Sequence, residues 1–165
     1  MLVLAKPKLV ARLLASDFPS ENPRIQTRNF PYTKHVVYNF EMNNISRKLS
    51  QEILNGNDVS EILGNPKEFP TELIEKLSIQ TATEYWNGKI DFDDGYCIMN
   101  NLQTFWVTND YFFKNFGFGK IAWKCYEAFD SGGFLRPTDN SNIDPAEKYS
   151  KPLIEKLLLQ LKIIK

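Results

Sequence analysis

Apolar residues that recur every three or four positions, in runs closed by glycine or an Asn-Gly pair, most restrict what this chain can fold into. That spacing lines one face of an α-helix, and the left-handed backbone that glycine tolerates ends it. Met42, Ile45, Leu49 and Ile53 form the first stripe, stopped at Asn55-Gly56. Asp58-Val59-Ser60-Glu61 has the form of a capping box, its first side chain expected to accept from the fourth residue's amide, and it opens a short helix ending at Gly64. Pro70-Thr71-Glu72 opens the next, in which Leu73, Ile74, Leu77 and Tyr85 make an apolar face up to Asn87-Gly88. Ile121, Ala122, Cys125, Tyr126 and Phe129 repeat the pattern until Ser131-Gly132-Gly133.

Other stretches are less one-sided. Residues 90–107, with Tyr96, Ile98, Leu102, Phe105 and Trp106, fit a helix, the preferred reading, and fit two short strands joined at Asn100-Asn101. The run HVVYNF at 35–40 is open between strand and helix. Asp110 is expected to cap a short aromatic helix through Phe113, ended by Gly117. Beyond a polar loop from Arg136 to Asn142, Asp144-Pro145-Ala146-Glu147 starts a helix that Pro152 must kink or restart. Leu153, Leu157, Leu161 and Ile164, flanked by Ile154 and Leu158, then mark the most amphipathic helix of the chain. The expected fold is mainly α, one compact multi-helix domain over residues 1–165, with a minor β element as the alternative in the ambiguous stretches. Residues 1–31, rich in Pro and Asn from Pro19 to Pro31, are expected to be irregular or to wrap the domain. No internal repeat of solenoid length is present.

A chain of 165 residues with 12 Phe, 7 Tyr and 3 Trp can bury an ordinary core without a metal or disulfide scaffold. Cys97 and Cys125 are far apart and lack CxxC spacing, which reads as two reduced thiols. With His35 as the one histidine, the chain holds three soft ligands where a structural zinc site takes four, so no metal or other cofactor is expected. Lys6, Pro7, Lys8 and Arg12 interrupt every early apolar run long enough for a signal peptide, and no segment has the length to span a bilayer. A cytoplasmic protein without a membrane partner is expected, an acid-free transit peptide over residues 1–16 being the alternative.

Three constellations resemble chemistry and each has a plainer reading. Cys97 or Cys125 with His35 would make a nucleophile and base, but Cys125 lies on an apolar stripe and neither thiol has an activating local sequence, so the core reading is preferred. Asp91, Asp93 and Asp94 before Gly95 suggest an acidic cation loop; an EF-hand, however, needs its glycine sixth and a glutamate twelfth, where this chain has Gly95 fifth and Leu102 twelfth. A helix cap on a solvated turn accounts better for them. Gly117-Phe118-Gly119-Lys120 looks like the end of a phosphate loop but has Lys114 and Ile121 where a glycine and a Ser/Thr belong; helix punctuation, with room for an anion, is preferred. The aromatics from Tyr96 to Phe134 do not read as a base-stacking surface, because the interleaved charge is acidic, and no nucleic-acid partner is expected.

Net charge is zero, but its distribution is not even: residues 1–48 carry 8 Lys/Arg and 3 Asp/Glu, residues 49–147 carry 7 and 16, and residues 148–165 carry 5 and 1. The acidic centre is either neutralised by the basic ends folding back, the preferred reading, or a surface that steers a basic partner. The acidic, aromatic-rich half with Trp86, Asp91, Asp93, Asp94, Trp106 and the run GFGKIAWKCYEAF from Gly117 to Phe129, together with abundant Asn, Lys, Ile, Phe and Tyr, resembles the immunity proteins of bacterial polymorphic-toxin and contact-dependent growth inhibition systems. The resemblance is one of overall character across the chain. It implies a small cytosolic protein that binds a cognate toxin domain, often a basic nuclease, at one-to-one stoichiometry and blocks it without being an enzyme. Asp91, Asp93, Asp94, Asp110, Glu127 and Asp130 would then pair with toxin Lys/Arg, and Trp86 or another exposed ring would be the anchor. The alternatives are a metal-dependent hydrolase built on Asp91–Asp94 and a mobile-element accessory protein that binds a host factor.

Overall fold

The structure, a computed structural model, describes residues 45–165. The stripe residue Met42, the run at 35–40, His35 and the segment 1–31 lie outside the described residues. Among the described residues the chain is helical, with no strand.

Helix α1 covers residues 45–54, buries Leu49 and Ile53, and ends where Gly56 takes φ +86°. Helix α2, Val59–Leu63, starts at Asp58, whose carboxylate accepts from the Ser60 amide at 2.6 Å instead of from that of Glu61, and stops at Gly64 with φ +65°. Helix α3, Thr71–Trp86, turns Ile74, Leu77, Ser78, Thr81 and Ala82 inward. Leu73 and Tyr85 border that face, packed against the core while still half exposed. The hydroxyls of Ser78 and Thr81 donate to the carbonyls of Ile74 and Leu77, so both polar groups are buried with a partner.

The disputed stretch is one helix, α4, Phe92–Val107, and no strand pair forms there. Asn100 and Asn101, the proposed turn, sit mid-helix and donate to the carbonyls of Tyr96 and Cys97 four residues back. Helix α5, Asp110–Asn115, is capped by Asn109 and not by Asp110: Asn109 has the extended backbone a cap needs, and its side chain accepts from the amides of Tyr111 and Phe112. It also outlasts Phe113, closing at Phe116. Helix α6 is Lys120–Asp130.

Asp144 caps the last helical segment as the sequence suggests, accepting from the amides of Ala146 and Glu147. The segment begins as one π-helical turn, Ala146–Ser150, and continues as α7, Lys151–Gln160. Pro152 has no amide proton and crowds the carbonyl four residues back, and the wider π turn absorbs that defect, which is how the restart is realised. The apolar stripe of α7 is centred on Ile154, Leu157 and Leu158, with Leu161 beside them, while Leu153 faces outward. The stripe is therefore rotated by one residue from the Leu153-Leu157-Leu161 line.

Helices α3, α4, α6 and α7 run alternately up and down. Phe129 at the end of α6 meets Tyr85 at the end of α3 and Phe92 at the start of α4. At the other end Glu75 of α3 reaches Ile121 of α6, and Trp106 of α4 meets Trp123. Ser150 touches the end of α6 and Gln160 its middle, at Lys124, so α7 runs back along it. Helices α3 and α6 each pack on both α4 and α7. Gly95 permits the α4–α6 approach, since a Cβ there would lie 2.7 Å from Cζ of Phe129. Each fully buried Leu, Ile or Phe in the seam contributes about 1.5–3 kcal/mol, and Ile74, Leu77, Met99, Leu102, Phe129, Ile154 and Leu158 are all fully buried.

Candidate functional site

The alternating helices divide the charged candidates between two ends of the bundle. Helices α3 and α6 finish where α4 and the π turn begin, and that end gathers Trp86, Asp91, Asp93, Asp94, Asp130, Asp144 and Glu147 from three separate stretches of sequence. Two tyrosines, on α3 and α6, feel these acids. Burial, then Glu147, raises the pKa of Tyr85 above its ordinary value, and burial, then Asp130, does the same to Tyr126.

Asp91 is the N-cap of α4, its carboxylate accepting from the Asp94 amide at 2.8 Å, so the acidic cluster is a helix start, the plainer of its two readings. Among the described residues, no three or more His, Cys, Asp or Glu side chains stand close enough to hold a metal ion together. Part of the acidic centre is neutralised by the basic C-terminal stretch, through Lys148–Asp139 at 2.6 Å and Lys151–Glu147 at 2.7 Å. No ion pair among the described residues involves Asp91, Asp93, Asp94 or Asp130. Trp86 ends α3, half-buried and packed against the core.

Asp110 lies at the other end, and Glu127, one turn before Asp130 on α6, is turned toward Trp123. A 16-residue helix is about 24 Å long, and Asp110 follows the end of α4 whereas Asp91 precedes its start. Asp110 pairs with Lys114 at 3.1 Å on the surface of α5. Glu127 accepts from the indole N–H of Trp123 at 2.8 Å. Both acids border an aromatic face that sequence spacing did not single out: Tyr111, Phe113 and Trp123 are 56%, 51% and 39% exposed. Phe113 and Trp123 flank Trp106, ring centroids 5.0 and 6.3 Å away, and Trp123 continues to Tyr126 at 5.5 Å. The one signal was the aromatic density itself, and only packing tells which rings stay outside.

Beside this face runs an open cleft of about 1010 Å³. Trp106, Phe118, Trp123, Leu157 and Leu161 supply its apolar walls, and Lys120 and Lys124 stand at its edge. The Gly117-Phe118-Gly119-Lys120 run is part of the wall, and the anion at the helix start it leads into is the protein's own. Gly119 adopts φ +101°, and Oε1 of Glu75 accepts from the Ile121 amide at 3.1 Å. No group from a nucleotide is needed to satisfy that helix end. Cys125 is fully buried, and burial pushes its thiol up to about 12, so it is an inert core residue.

No family model, no curated protein and no solved structure matches the chain. Its class rests on its own geometry: an α-helical module with an acidic pole at one end and an aromatic, lysine-edged cleft toward the other.

Proposed function

We propose that the protein is a protein-binding module of the immunity type, which neutralises a basic toxin domain by stoichiometric attachment at the acidic pole. The observation that carries this reading is the convergence of Asp91, Asp93, Asp94 and Asp130 on one end of the bundle without ion-pair partners among the described residues. Unpaired acids held on rigid helix ends raise the approach rate of a basic surface and suppress wrong partners, with little reorganisation on docking. Asp144 lies at the same end as a helix cap, and Glu147 is there but paired with Lys151.

The test is co-purification of the tagged protein from its native host, followed by binding kinetics with the partner recovered. One basic toxin domain at near-equal stoichiometry is expected, its activity blocked, its association slowed by salt and reduced at least tenfold by Asp93→Lys with Asp130→Lys. A partner indifferent to both reversals, or no partner, would overturn the proposal.

A further inference from the structure

Lysines outnumber acids around the apolar cleft beside Trp106 and Trp123. We infer that the seam between α6 and α7 is a second docking surface, one that takes an acidic amphipathic segment, about two to three helical turns long, of a partner protein. The seam starts in the cleft at Trp106 and Trp123, follows Leu157, and continues into a smaller hollow that holds Leu153 and Lys156. Leu153 is 42% exposed. Residues 153–161 of α7 extend about 12 Å, the footprint of a short helix laid in a groove with anchors at i, i+3, i+4 and i+7.

Charge selects the occupant. Lys120, Lys124 and Lys156 line the seam against one acid, Glu127, which already holds the Trp123 indole. None of the three lysines has an ion pair among the described residues; Lys124 reaches only the Gln160 amide oxygen, at 3.5 Å. The same lysines repel a basic toxin surface, so the seam and the acidic pole call for occupants of opposite charge. An acidic segment with leucine-like anchors satisfies both the rings and the lysines.

The full-length protein is titrated with a 10-residue helical peptide bearing Leu at i, i+3, i+4 and i+7 and Glu elsewhere, read by the change in tryptophan emission, to which Trp106 and Trp123 of the cleft contribute beside Trp86. A peptide with Lys at every Glu position and the fatty acid laurate serve as comparison probes. Saturable binding of the acidic peptide at least tenfold tighter than the lysine peptide is expected, weakened by salt. Lys120→Glu with Lys124→Glu should abolish the preference, and Lys120→Arg with Lys124→Arg should keep it, circular dichroism verifying that both variants fold. Equal binding of the two peptides, binding of laurate alone, or self-association on sedimentation with no peptide binding would each overturn the inference, the last in favour of a second copy in the seam.

Discussion

Single side chains hold the ends of these helices together. Ser150 is fully buried, and its hydroxyl donates to the Ala128 carbonyl at 2.6 Å and to that of Phe129 at 3.2 Å, closing the end of α6 from the following segment. Ser150→Ala leaves a buried carbonyl without that donor and should destabilise the fold by about 1–3 kcal/mol in urea unfolding. Asp139 has a covered side chain and accepts from Lys148, from the Tyr149 hydroxyl and from the Arg136 amide, which together hold its pKa at about 2 against an ordinary 3.8. A carboxyl whose folded pKa is depressed contributes stability that is present above its unfolded pKa and lost as pH falls through the folded one. Asp139→Asn should therefore flatten the acid limb of the unfolding curve between about pH 4 and pH 2. Arg136 lies 3.7 Å from the centre of the Tyr149 ring and shuts the same clasp from above. Cys125, with its thiol raised to about 12 by burial, should resist thiol reagents until the chain is unfolded.

At the level of elements, the chain's periodicity was a sufficient guide wherever one face is apolar and a stop residue follows. That covers α1 to α3 and α6, with Gly56, Gly64 and Gly88 in left-handed backbone at the stops the residues announce. The stretch at 92–107 resisted because apolar residues on a well-buried helix surround too much of its circumference for the period to stand out, and tertiary packing against α3 and α6 decides it. The α7 stripe was misplaced by one position because the adjacent pairs Leu153-Ile154 and Leu157-Leu158 offer two overlapping apolar lines, and packing on α3 and α6 selects the one through Ile154, Leu157 and Leu158. The start of α6 was beyond reach for a different reason: its cap is Glu75, distant in sequence. Glu75→Ala should cost about 1 kcal/mol, seen as a lower urea midpoint, and hydrogen exchange should quicken at the Ile121 amide in particular. Gly119→Ala should cost at least as much, because φ there is +101° and the new methyl would meet Cγ of Glu75 at 2.8 Å.

For the molecule as a whole, the candidate residues were legible as a chemical type and not as a set. Acids separated by tens of residues read as one acidic centre, whereas the alternation of helices sends Asp91, Asp93, Asp94 and Asp130 to one end and leaves Asp110 and Glu127 by the aromatic face. Which rings remain outside is likewise a property of assembly, since Trp123 shares a helix face with the cleft while Phe129, six residues on, is fully buried. The pole should be dispensable for folding. Asp93 sits in the first turn of α4, where a helix favours negative charge, and Asp130 ends α6, where it does not. Replacing both by Lys should leave the urea midpoint nearly unchanged, the two effects of about 0.3–1 kcal/mol opposing each other. The four long helices, alternating in direction, cancel most of one another's backbone dipoles, so the molecule's polarity is written almost entirely in surface side chains. Scaffold and specificity are thus separately variable: a lineage could exchange acids for lysines at either end, and acquire new partners, while every residue of the core stayed as it is.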